Sequence, residues 1–203
     1  IAAVIFGFML MFTRNLHTVI RNQEARRWES DGNESELTGK TAVIVGTGAI
    51  GSETARVAKA FRMRTIGVSR SGSSLPDFDH MYTTDNLHEA LREASFVINT
   101  LPLTDQTRGL FNKSVFSAFK KGAYYINIGR GATTHTEDLM DALNSGQLAG
   151  AGLDVFETEP LPQDHPLWGM QQVIITPHCA GTTDRYAERI IDIFLENMKS
   201  YLA

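Results

Sequence analysis

The chain has one cysteine, Cys179, in 203 residues. A lone thiol closes no internal disulfide and builds no cysteine-rich zinc site, so no metal site is expected, the compartment is expected to be reducing and cytoplasmic, and stability must come from a core. An excess of charge of one sign is missing too. Against 23 Asp and Glu stand 19 Lys and Arg, a net charge of -4, which gives no field for nucleic acid or an anionic membrane. The apolar opening Ile1–Phe12 is only 12 residues long, short of the roughly 20 that a membrane-spanning helix needs, and it has neither the basic region nor the cleavage site of a secretory signal. Internal repeats and low-complexity segments are absent. Hydrophobic residues at 42% and charged residues at 21% are the proportions of a soluble globular protein, long enough for one good core or one domain and part of another.

The chain opens without Met and reads as a piece of a longer polypeptide. Helical spacing runs from Ile1 into Ile20, and a helix apolar nearly all round needs partners on several sides. Residues 1–22 are therefore expected to form one helix buried at a domain or subunit interface. The polar stretch Glu29–Glu36 is the linker that follows.

The organising stretch is Lys40-Thr-Ala-Val-Ile-Val-Gly-Thr-Gly-Ala-Ile-Gly51, leading into Ser52–Phe61. It reads as strand, tight turn and helix. Gly46 permits the turn, Gly48 lets backbone approach a pyrophosphate, and Gly51 lets the helix pack closely on the strand. A bare glycine pattern is weak, but here both flanking elements are present, as a dinucleotide site requires.

Short apolar runs then alternate with helical patterns. Strands are expected at Arg64–Ser69, Phe96–Leu101, Ala123–Ile128, Gly150–Val155 and Val173–Thr176, and helices at Leu87–Ala94, Asn112–Phe119, Thr136–Leu143 and Thr183–Leu202. This alternation predicts an α/β fold with a parallel, doubly wound sheet whose site lies at the carboxyl ends of the strands. Arg130, Asp154, Glu159 and His178 all follow or end such strands. Each alone could be a helix cap or a loop charge, but together they point to a site.

The segments Val45–Gly51, Leu101–Leu110, Ile126–Gly131, Gly152–Leu161, His165–Trp168 and Thr176–His178 resemble the NAD(P)-dependent D-2-hydroxyacid dehydrogenase family, especially glyoxylate/hydroxypyruvate reductases. The resemblance implies a Rossmann-like fold and reversible hydride transfer between a nicotinamide cofactor and a 2-oxo acid, with Arg130, Glu159 and His178 as the catalytic trio. Carried onto this chain, it places the cofactor against Gly46, Thr47, Gly48, Ala49, Ile50 and Gly51, then Ser69, Arg70 and Ser71, then Thr100, Leu101, Pro102 and Thr107. Ile128, Gly129, Arg130, Asp154, His178, Ala180 and Gly181 complete the set, with Asp154 at the nicotinamide ring. Two departures, His135 where an acid is commoner and Cys179 where an aliphatic residue is, leave that chemistry untouched.

The expected organisation is an interface helix and linker at 1–39, a dinucleotide-binding domain at 40–181 and a final helix at 182–203 crossing toward a second, substrate domain largely absent from this chain. A homodimer through the nucleotide domain and first helix is implied. The alternative function is a non-enzymatic dinucleotide sensor or corepressor-like module. A formate dehydrogenase branch fits less well, because it replaces the carboxylate partner of the histidine with an amide.

Chemistry supports these roles independently. Ketone reduction needs a proton donor, for which histidine suits neutral pH. A carboxylate orients the imidazole, and an arginine fork suits a substrate carboxylate. An NAD-specific site carries an acid at the end of the second strand. Here Ser69, Arg70 and Ser71 stand there instead, so NADP(H) is the expected cofactor, with NAD as the alternative.

Overall fold

The structure, a computed structural model, describes residues 1–30 and 32–202, the side chain of Arg189 apart. The strands are β1 (Thr41–Val45), β2 (Arg64–Ser69), β3 (His80–Thr83), β4 (Phe96–Asn99), β5 (Ala123–Asn127), β6 (Leu148–Leu153) and β7 (Val173–Ile175). The helices are α1 (Ala2–Thr13), α2 (Leu16–Glu24), α3 (Ala49–Ala60), α4 (Leu87–Leu91), α5 (Lys113–Ser117), α6 (Thr136–Asn144) and α7 (Tyr186–Leu202). All seven strands join one parallel sheet in the order β3-β2-β1-β4-β5-β6-β7. The chain winds outward from β1 to β3, returns to β4 beside β1, and winds outward the other way. This is the doubly wound topology expected, and the reversal between β1 and β4 opens a crevice at their carboxyl ends.

Alternation along the strands divides the core in two. Ala42, Ile44, Phe96, Ile98 and Ile126 pack with α1 and α3, while Val43, Val45, Val97 and Tyr125 pack with α4, α5 and α6. Each fully buried large side chain contributes on the order of 2 kcal/mol.

The amino-terminal expectation needs correction. Residues 1–22 are two helices bent by 72°, because Asn15 takes a left-handed backbone with φ 50°. Ile5, Phe6, Phe8, Met9 and Phe12 of α1 are buried on the chain's own sheet. Gly150 and Gly152 of β6 make room for them: a Cβ on Gly152 would meet the Phe8 ring at 2.6 Å, and one on Gly150 the Phe12 ring at 3.0 Å. The apolar face of α1 is thus spent within the molecule. Among the described residues no single helix is long and apolar enough to cross a membrane; the α1–α2 pair passes only by combined length and composition.

Strand β3 was not expected. It is a short edge strand with no fully buried residue, so it lacks the alternating pattern that marks the others. Strand β6 ends at Leu153, leaving Asp154 just beyond it, and α3 starts at Ala49. Helix α7 is present as expected, but Ile190, Ile191, Ile193, Phe194 and Leu195 stand 46% to 59% exposed, so it is not packed into the core.

Candidate active site

The glycine turn after β1 has a distinct reason at each glycine. Gly46 has φ +97°, and a Cβ there would lie 2.7 Å from Thr100 Oγ1. A Cβ on Gly51 would lie 2.0 Å from the carbonyl oxygen of Gly46, so the helix could not close onto the turn. Gly48 differs, since a Cβ there meets nothing within 4 Å. The protein itself does not need that glycine. Gly48 is the N-cap of α3, and no side chain caps the helix, leaving the unpartnered N–H groups of its first turn for an anion. An open approach over an uncapped helix N-terminus fits a dinucleotide pyrophosphate.

Thr47, Ser69, Arg70 and Ser71 line an open cavity of about 490 Å³ beside this turn. Ser69 Oγ accepts from the Gly72 N–H at 3.1 Å, and Arg70 is exposed with no carboxylate partner among the described residues. Asp77 is far from this lip in the fold. Its carbonyl accepts from Thr65 Oγ1 at 2.7 Å, and Thr65 is near the opposite end of β2.

Between the loops lies a polar network that the sequence reading missed. Asn99 and Asn127, the last residues of β4 and β5, are register partners and both are buried. Asn99 Oδ1 accepts from the Leu101 N–H and Asn127 Oδ1 from the Gly129 N–H, both at 3.0 Å. Their Nδ2 groups donate to Thr133 Oγ1 at 2.7 Å and Thr134 Oγ1 at 3.1 Å, and the Tyr125 hydroxyl joins both sides. Desolvation pushes the Tyr125 hydroxyl above its ordinary range, against the opposing effect of its hydrogen bonds to Thr134 and Asn99. The two turns also touch, since a Cβ on Gly129 would meet the Leu101 oxygen at 2.6 Å. An asparagine closing each of two apolar strand runs was the available signal. Nearby, Thr100 Oγ1 donates to the Gly46 oxygen at 2.7 Å, and Thr107 Oγ1 to the Pro102 oxygen at 2.7 Å.

Glu159 and His178 come together although they follow different strands, while Arg130, exposed on another loop, reaches Glu159 only through its charge. His178 Nδ1 lies 2.6 Å from Glu159 Oε2, while Glu159 Oε1 accepts from the Phe156 N–H at 2.9 Å. A carboxylate only accepts, so Nδ1 carries the proton and Nε2 is left for a ligand. Burial works against ionisation of Glu159, but the hydrogen bonds from His178 and Phe156 and the charges of His178 and Arg130 outweigh it and hold the carboxyl below its ordinary range. Arg130 donates from Nη1 to the Gly129 oxygen at 2.7 Å. Glu159 and His178 are the polar groups on a largely apolar cavity of about 600 Å³ walled by Phe156, Leu161, Trp168, Ile175 and Pro177.

Asp154 is not presented to this cleft. It is 1% exposed; its Oδ1 accepts from Thr176 Oγ1 at 2.5 Å and the Cys179 N–H at 3.0 Å, and its Oδ2 from the Ala180 N–H at 3.0 Å. Its observed partners all lie on the loop that carries His178. Ile128 and Ala180 are buried in the core, and Gly181 is exposed.

Residues 6–180 match the family model described as the D-isomer specific 2-hydroxyacid dehydrogenase NAD binding domain. The chain is 41% identical over 166 residues to a glyoxylate reductase of Aeropyrum pernix, covering 82% of this chain and 50% of that protein. Among solved structures, it resembles phosphoglycerate dehydrogenase from Lactobacillus plantarum, at 39% identity and a TM-score of 0.88, over 99% of this chain and 65% of that one. It also resembles an NADPH-dependent glyoxylate/hydroxypyruvate reductase from Sinorhizobium meliloti in complex with NADP and sulfate, at 30% identity and a TM-score of 0.86, over 98% and 64%. The chain therefore spans about half to two-thirds of the length of these relatives.

Proposed function

The chain belongs to the D-isomer specific 2-hydroxyacid dehydrogenase family through its NAD binding domain, and from that premise we propose that it is the nucleotide-binding part of an NADPH-dependent reductase of small 2-oxo acids of the glyoxylate and hydroxypyruvate type. The observation that carries this reading is the His178–Glu159 hydrogen bond of 2.6 Å at the strand ends, beside an open glycine cradle.

A bound nicotinamide dinucleotide would supply the hydride. The first turn of α3 and Gly48 would hold its pyrophosphate, Thr100, Leu101 and Pro102 would flank it, and Arg70 with Ser69 and Ser71 would receive a 2′-phosphate. His178 would protonate the carbonyl oxygen from Nε2, while Glu159 holds the ring and stabilises its cationic form. Arg130 would orient the substrate carboxylate and neutralise the negative charge growing on the carbonyl oxygen. Two hydrogen atoms are thus added across the C=O bond, one as hydride and one as proton.

The proposed organisation keeps the dinucleotide domain at 40–181, with α7 reaching toward a substrate domain outside this chain. For the proposed homodimer, Leu16, Val19 and Ile20 on α2, 40% to 49% exposed, offer a free apolar face, whereas α1 is already used. A cytoplasmic setting suits the single thiol. Oxidation of NADPH in the presence of glyoxylate or hydroxypyruvate, measured on the full-length protein, tests the reading. Turnover with NADPH supports it, and dinucleotide binding without reduction of any 2-oxo acid overturns it.

A further inference from the structure

His178 sits in the left-handed backbone region at φ +51°, an arrangement that costs a non-glycine residue on the order of 1 kcal/mol and persists only where neighbours over-determine it. Among the described residues, one side chain bonds the neighbours on both sides of His178. Asp154, anchored at the end of β6 through its own N–H to the Asn127 oxygen at 3.0 Å, receives the Thr176 hydroxyl and the N–H groups of Cys179 and Ala180. These donors bracket His178 on both sides. The backbone adds the His178 N–H to the Thr176 oxygen at 3.0 Å, and at the two ends of the loop the Thr176 N–H to the Leu153 oxygen and the Thr182 N–H to the Cys179 oxygen, both at 2.9 Å.

A buried carboxylate normally calls for a cation, and none pairs with Asp154 among the described residues. Its desolvation is offset instead by three neutral donors, each strengthened by the acceptor's charge. An amide in this place could not do the same, because its NH2 group would face a donor on at least one side. The need for ionised oxygens on both sides therefore accounts for an aspartate here.

We propose that Asp154 is a positioning residue that acts through the backbone of the Thr176–Ala180 loop, holding His178 in its left-handed conformation so that Nδ1 meets Glu159 and Nε2 faces the cleft. This rests on the reading of His178 as the proton donor. It assigns Asp154 a task different from contact with the nicotinamide, and the two tasks have different signatures.

The test compares Asp154→Asn and Thr176→Val with the unmutated chain. Nitrogen-15 spectra of the histidine side chains report the Nδ1–H tautomer that Glu159 imposes on His178, and Glu159→Gln marks the signal of a released ring. Fluorescence titration gives the NADPH dissociation constant. The expected result is loss of the His178 signature in Asp154→Asn and a partial shift in Thr176→Val, with NADPH affinity within about threefold of the parent. If Asp154→Asn does not fold, Thr176→Val decides alone. A parental His178 signature in the folded variants overturns the proposal, whether or not NADPH binding weakens; weakening would favour the nicotinamide contact. The reading of His178 as donor fails separately, if the parent shows the signature but the full-length enzyme reduces no 2-oxo acid.

Discussion

Glu159 and His178, nineteen positions apart, share a hydrogen bond of 2.6 Å from Oε2 to Nδ1, and the second carboxylate oxygen of Glu159 is fixed by the Phe156 N–H. The carboxylate is therefore immobilised on both oxygens, and the ring it holds has one orientation and one tautomer. Removing either partner should have a different effect.

His178→Asn removes the proton donor. The expected loss in kcat is about two to four orders of magnitude, with cofactor affinity nearly unchanged. Steady-state kinetics on the full-length enzyme alongside a binding titration check this, and an equal loss in both would point to a collapsed site instead.

Glu159→Gln should act on the pH profile. Because the folded carboxyl is lowered from 4.5, the ionised, histidine-bound form is complete above that value and is lost only as pH falls through the lower folded one. Reduction by the parent should therefore keep its acid limb below the ordinary carboxylate range. In the variant the amide at 159 does not ionise, so that acid limb should be lost. Rate profiles of the two proteins decide it.

Gly48→Ala and Gly51→Ala should separate binding from folding. A methyl group at 51 would meet the Gly46 oxygen at 2.0 Å, and the forced shift should cost about 3 kcal/mol or more, seen in denaturant unfolding. At 48 a Cβ meets nothing within 4 Å and the backbone is at φ -71°. That variant should fold normally yet bind NADPH roughly tenfold or more weakly, because the methyl group occupies the pyrophosphate's approach.

Arg70→Ala should weaken NADPH by roughly ten- to a hundredfold and leave NADH nearly unchanged. The exposed guanidinium faces an open lip with no acid among its lining residues. Equal affinity of the parent for the two cofactors would defeat the expectation.

Deleting residues 186–202 should barely move the thermal midpoint of the chain. The large apolar side chains of α7 from Tyr186 to Leu202 are exposed, so the helix contributes little burial here. A drop of many degrees would show that it docks in solution.

The sequence alone determined the local patterns: the alternating apolar runs of the inner strands, the glycine turn and the helices that follow. These depend on periodicity and on backbone geometry within a few residues, and they place Arg130, Glu159 and His178 at strand ends without any knowledge of contacts. Tertiary structure decided what needs partners distant in the chain. That α1 spends its apolar face on β6 depends on Gly150 and Gly152 opening space for Phe12 and Phe8. That Asn99 and Asn127 share one network depends on the register of β4 against β5. The edge strand β3 exists through pairing with β2, since it buries too little to show a pattern of its own. And that Asp154 meets the His178 loop depends on β6 and β7 bringing Thr176, Cys179 and Ala180 over its carboxylate; once buried, that charge has to be met by the nearest donors.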